Sequence, residues 1–207
     1  IITKAVLKLF PAPKMSTTVL VALPKIEAIL VFFKQIREVC GDQLTAFELI
    51  SRIGIELGSK HVDGVIDPFE APHPWYALIE LTSTRENDNI RANIEEILAN
   101  ALEANIIVNA VFAESDAQRK KLWKIREELP TAQSREGASI KHDVSVPVSD
   151  TVNFIIEASE RLLKVFPSIR PCPFGHIGDG NIHYNLTQPI GMAKEDFMAR
   201  STEINRI

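Results

Sequence analysis

Hydrophobic and polar positions along this chain switch repeatedly between a period of two and a helical period. Residues 17–23 (TTVLVAL) form a short uncharged run rich in β-branched side chains, as a buried strand does. Ile26, Ile29, Leu30, Phe33 and Ile36 then recur at helical spacing, and Gly41 follows as a stop. Residues 44–51 (LTAFELIS) predict a strand, then a short helix to Gly58. Residues 58–74 are rich in Gly, Pro, His and Asp and predict a loop, with His61 and His73 solvated in it. Residues 75–81 (WYALIEL) predict a strand, Ile90 to Leu102 a helix, and residues 106–113 (IIVNAVFA) another strand. Ser115 is placed to cap a helix running to about Leu129. Residues 139–149 (SIKHDVSVPVS) alternate as one strand, and Ser149 is placed to cap a helix through Leu163. A hairpin follows, and a last helix starts near Lys194.

Strands and single helices alternate here, yet hairpins intervene. That pattern fits an α+β fold of ferredoxin-like split βαβ units better than a doubly wound sheet. The expectation is an antiparallel sheet covered by helices.

The hairpin raises the first chemical question. Residues 173–185 read PFGHIGDGNIHYN and hold two of the chain's five histidines. Asp179-Gly180 is a strong signal for a two-residue type I′ turn. Closed on that pair, the hairpin sets His176 opposite His183 and Phe174 opposite Asn185, all on one face. Two imidazoles held so can share a cation, or they can simply fill a half-buried sheet. Two ligands fall short of the three or four that zinc takes. Gly175, Gly178 and Gly180 suggest that a ligand or another backbone comes close.

Composition narrows the function classes. A length of 207 residues suits one large domain or two small ones, and the net charge is −4 with no basic block, which sets nucleic acid aside. No apolar run reaches the length of a membrane helix. Cys40 and Cys172 give neither a disulfide framework nor paired zinc spacing, and there is no G-x-G-x-x-G or Walker motif. The start, IITKAVLKLF, looks strand-like and lacks the order of a signal peptide; the last residues stop within a helical pattern. Both ends therefore read as internal to a longer chain.

Two cations stand out by position. Arg126 falls on the apolar stripe of its helix, four residues after Leu122 and three before Leu129. Either its stem lies on the core with the head in water, or the head meets a ligand. Lys141 shares a strand face with Asp143 and Ser145, opposite to Ile140, His142, Val144 and Val146. That polar face is either solvated or lines a cleft for an anion; an Arg with a Lys suits a carboxylate. His142 is expected to be a satisfied core or edge histidine.

The stretch GHIGDGNIHYN resembles the G-H-x-G-D-G-N-x-H motif of the C-terminal domain of FAD-linked oxidases of the vanillyl-alcohol-oxidase type. WKIREELPTA, KHDVSVPVS and IITKAVLKLFPAP are similar to further blocks of that family, nearest its D-2-hydroxyglutarate dehydrogenase, D-lactate dehydrogenase and glycolate oxidase flavoprotein branches. The resemblance implies a substrate (cap) domain over residues 17–207 lacking its C-terminal end. Residues 1–16 would be the hand-over from a missing FAD-binding domain. It implies substrate contacts at Arg126, Lys141 and Asn185, and a divalent metal, usually zinc, on His176 and His183. The parent reaction would oxidise a D-2-hydroxy acid to the 2-oxo acid on FAD. Electrons would pass to an electron-transferring flavoprotein or a quinone, in the cytoplasm of a bacterium or the mitochondrial matrix of a eukaryote. A homodimer stays open.

The departures from the family pattern matter. Pro130 stands where the hydroxyglutarate enzymes have Thr, with Thr131 adjacent. The family's Glu-His-Gly motif, which supplies a third metal ligand and a base, is not found in these 207 residues. No catalytic base is therefore assigned, and the chain by itself is expected to be inactive. The competing reading is a flavin-free module that binds a small acid or another subunit without chemistry.

Overall fold

Two segments of β-branched and aliphatic residues, each followed by an amphipathic helix, build the first half of the molecule. The computed structural model describes residues 2–9 and 11–207. Strand β1 (Met15–Leu23) leads through α1 (Ala28–Cys40) to β2 (Leu44–Ser51), a short α2 (Arg52–His61) and β3 (Trp75–Ser83). Helix α3 (Ile90–Glu103) and strand β4 (Asn109–Phe112) complete the unit. These strands lie in the order β4-β1-β3-β2, all antiparallel, which is the split βαβ arrangement expected.

The second half extends the same sheet. It comprises α4 (Asp116–Glu127), α5 (Leu129–Glu136), β5 (Ser139–Ile140), β6 (Asp143–Ser145) and α6 (Thr151–Val165). Strands β7 (Arg170–His176) and β8 (Asn181–Thr187) and helices α7 (Lys194–Ala199) and α8 (Ser201–Ile204) follow. Strand β7 pairs with β2, so one antiparallel sheet runs β4-β1-β3-β2-β7-β8-β5, with β6 also on β8.

Alternation along each strand divides the core in two. Val19, Val21, Phe47, Leu49, Ile79 and Leu81 face α1, α3 and α6. Leu20, Ile50, Tyr76, Leu78, Cys172 and Phe174 face α2, α4 and α5. On this second side Asp143, Ser145 and His176 are exposed and His183 is half-buried, while Asn185 and Thr187 are covered.

Several local expectations need correction. Residues 2–9 form neither strand nor helix, and Ile1 and Phe10 lie outside the described residues. His61 is not in a solvated loop: it ends α2, and its Nε2 lies 2.6 Å from Glu136 Oε2. Ser115 caps α4 as expected, accepting from Gln118 N–H at 3.2 Å. That helix gives way to α5 because Pro130 falls in the first turn of a new helix, where its missing N–H costs nothing. Ser149 caps nothing; a 3₁₀ turn over Val148–Asp150 leads into α6. Among the described residues no helix is long and apolar enough to cross a membrane. Both cysteines are buried and free.

Candidate functional site

The histidine hairpin closes more loosely than its Asp-Gly pair suggests. His176 faces Asn181, Phe174 faces His183, and Cys172 faces Asn185. A type I′ turn needs positive φ at Asp179, but among the described residues Asn105 is the one non-glycine residue with it. Instead a 3₁₀ turn over Ile177–Asp179 ends at Gly180, with φ 73°. Asp179 Oδ1 accepts from Asn181 N–H at 3.0 Å. The expected pairing of His176 with His183, and of Phe174 with Asn185, is therefore displaced by two residues. Since side chains alternate with period two, the face is unchanged. The two histidines become diagonal neighbours, ring centres 6.1 Å apart and tilted by 68°.

Two of the three glycines serve backbone approach. A Cβ on Gly180 would stand 1.9 Å from Val146 O, and one on Gly175 would stand 2.4 Å from Asn181 O. Gly178 would meet nothing nearer than Phe33, at 4.0 Å.

Strands β5 and β6 share one register on β8: Ile140 faces Leu186, and Asp143 faces His183. Carried across the gap, that register sets Lys141 opposite Asn185. The predicted strand is split because the Tyr184 carbonyl bonds the His142 ring, Nδ1 to O 3.0 Å, while Tyr184 N–H still donates to His142 O. His142 Nε2 lies 2.9 Å from Asn205 Oδ1, so this histidine is satisfied at both nitrogens. Lys141 is exposed, with no ion-pair partner among the described residues. The face thus gathers His176 on β7, His183 and Asn185 on β8, and Lys141 in the gap between β5 and β6.

Arg126 reaches this face from α4. It is 9% exposed, so its head is not simply in water. Its guanidinium carbon lies 4.7 Å from the centre of the Phe174 ring, and Nε donates to Glu48 Oε2 at 2.7 Å. The other carboxylate oxygen, Oε1, accepts from His176 Nδ1. Glu48 faces His176 in the β2–β7 ladder. It was missed in the sequence: LTAFELIS reads as a plain buried strand, and Glu48's partners lie 78 and 128 residues away. The available signal was a lone carboxylate in an apolar run.

Asn185 is buried and donates to Gln133 Oε1 at 2.8 Å; Gln133 in turn donates to Thr187 Oγ1 at 3.3 Å. Pro130 and Thr131 are both exposed. His183 is partly buried, and desolvation, with Arg126 nearby, holds its pKa below the usual histidine value. It is therefore a neutral imidazole at pH 7, fit to accept a proton or ligate a cation. Among the described residues, however, no three His, Cys, Asp or Glu side chains converge on one ion position. Glu48 is occupied by Arg126 and His176, and Asp143 lies 3.5 Å from His183 Nδ1. The expected zinc site is thus half of a donor set at most.

A profile described as FAD linked oxidases, C-terminal domain, matches residues 12–206. The chain belongs to that family. Among curated relatives, a D-2-hydroxyglutarate dehydrogenase of Xanthomonas citri pv. viticola is 30% identical over the whole chain, which covers 42% of the relative. A mitochondrial D-2-hydroxyglutarate dehydrogenase of Arabidopsis thaliana is 33% identical over 71% of the chain and 26% of its own length. This member of the FAD-linked oxidase family therefore spans under half of the relatives it matches. A solved alkyldihydroxyacetonephosphate synthase superposes with a TM-score of 0.62 over 93% of this chain and 38% of that one; at 10% identity the likeness concerns the fold.

Proposed function

We propose that this chain is the substrate-binding domain of a flavin-dependent dehydrogenase that oxidises a D-2-hydroxy acid to the 2-oxo acid. The substrate class is D-2-hydroxyglutarate, D-lactate or glycolate. The observation that carries the reading is Arg126. It is buried, lies over Phe174 and is hydrogen-bonded, among the described residues, through Nε alone, which leaves both terminal nitrogens to grip a carboxylate in fork geometry. Lys141 and Asn185 border the same face and supply a second cation and an amide. Bound FAD, held by residues outside those described here, would supply the hydride acceptor.

The other residues of the face then have simple tasks. Without a cation, neutral His183 accepts a hydrogen bond from the 2-hydroxyl group. His176 and His183 offer two donors towards a divalent cation, which needs further ligands from elsewhere. No residue of this chain is assigned as the base. Electrons leave through a separate acceptor.

The test is steady-state dye reduction by the full-length protein with each of the three acids. Arg126→Ala should lower kcat/KM more than about tenfold, roughly 1.4 kcal/mol, and Arg126→Lys should not restore it. Normal turnover by Arg126→Ala would overturn the assignment.

A further inference from the structure

Glu48 is 4% exposed, on a strand whose neighbouring position on the same face, Ile50, is fully buried core. Taking a carboxylate out of water is costly, and a buried ion pair often contributes no more to stability than apolar side chains of the same volume would. The fold alone therefore gives little reason for an acid here. Its two oxygens are divided between two groups of the candidate site's face: Oε2 takes Arg126 Nε–H, and Oε1 takes His176 Nδ1.

We propose that Glu48 is a positioning residue that sets both the aim of Arg126 and the tautomer of His176. This rests on the reading of that face as an anion and hydroxyl site. A carboxylate only accepts, so Nδ1 of His176 carries the proton and the Nε2 lone pair turns outward, on the side of His183. The Nε bond likewise ties the guanidinium in place over Phe174. One side chain that touches no substrate thus orients a carboxylate fork and an imidazole lone pair together. Free neutral imidazole favours the proton on Nε2, so the arrangement is imposed on His176.

The experiment uses the full-length protein with Glu48→Leu and Glu48→Gln. Long-range proton–nitrogen NMR should find the His176 proton on Nδ1 in the parent and shifted towards Nε2 in Glu48→Leu. Glu48→Leu leaves Arg126 buried without its partner and should lower the melting temperature; kcat/KM, read well below that temperature, should fall at least tenfold. Glu48→Gln, which keeps one acceptor oxygen, should fall between, and it serves alone if the leucine variant does not fold. Combining Glu48→Leu with Arg126→Ala should cost less than the sum of the single changes, because part of the Glu48 effect runs through Arg126 and the rest through His176. An unchanged His176 tautomer with kcat/KM within twofold of the parent would overturn the proposal. If Arg126→Ala is fully active the substrate reading fails, and the tautomer measurement still decides for or against Glu48.

Discussion

The guanidinium carbon of Arg126 stands 4.7 Å from the centre of the Phe174 ring, so the aromatic face is part of the arginine's seat. A cation over a ring in a partly dry setting gains about 1 kcal/mol. Phe174→Leu keeps most of the volume of a residue 2% exposed, so the fold should lose less than about 1.5 kcal/mol. On the function proposed above, the KM of the full-length protein for the hydroxy acid should rise about fivefold. An unchanged KM would mean that the ring is only core.

Asn185 and Gln133 form a buried amide pair at 2.8 Å. Asn185→Ala leaves the Gln133 carbonyl oxygen without that donor and should destabilise by about 1–3 kcal/mol. A lower urea midpoint at constant m checks this. Adding Gln133→Ala should cost less than the sum of the single changes, since the two share one interaction. If stability is untouched while kcat/KM drops, the amide serves ligand alone.

Glu136 bonds His61, Lys60 and Arg170, and its pKa is lowered from 4.5 to about 2, the His61 hydrogen bond being the largest cause. A depressed folded pKa means stability present above 4.5 and lost as pH falls towards 2. Glu136→Gln should therefore be less stable than the parent at pH 6, with the gap closing between pH 4.5 and 2. Melting temperatures of both proteins across that range would show it; a constant gap would contradict it.

Gly180 has φ 73°, and a Cβ there would press into Val146 O at 1.9 Å. Gly180→Ala should cost at least about 2 kcal/mol from the left-handed backbone and the clash together. Chemical denaturation checks the stability, and the His176–His183 ring-to-ring nuclear Overhauser contact should weaken with it. A variant as stable as the parent would show that the turn can relax.

Local pattern carried most of the fold. LTAFELIS is β2 from first residue to last, and the alternation of residues 139–145 gave the correct face for Lys141 and Asp143. Arg126 was conspicuous because a cation on an apolar stripe has few places to go. What escaped depended on distant residues. Glu48 takes its meaning from an arginine and a histidine brought by other elements. The hairpin register turned on whether Asp179 would accept positive φ, which propensity favours and Val146 and Asn181 overrule. The helix expected to run to about Leu129 stops at Glu127, and no nearby pattern says that a second one begins at Leu129.

Opposed residues on β7 and β8 have numbers summing to 357, as in 174 and 183, whereas the expected closure summed to 359. Both totals are odd, and every odd total puts even-numbered β7 positions on the same side as odd-numbered β8 positions. Loops of two or four residues therefore keep both imidazoles together, and loops of three or five would part them. Sliding one strand past the other by a residue pair would alter the spacing between the rings without turning either ring away. Parity guards the chemistry of this face more firmly than the shape of any single turn.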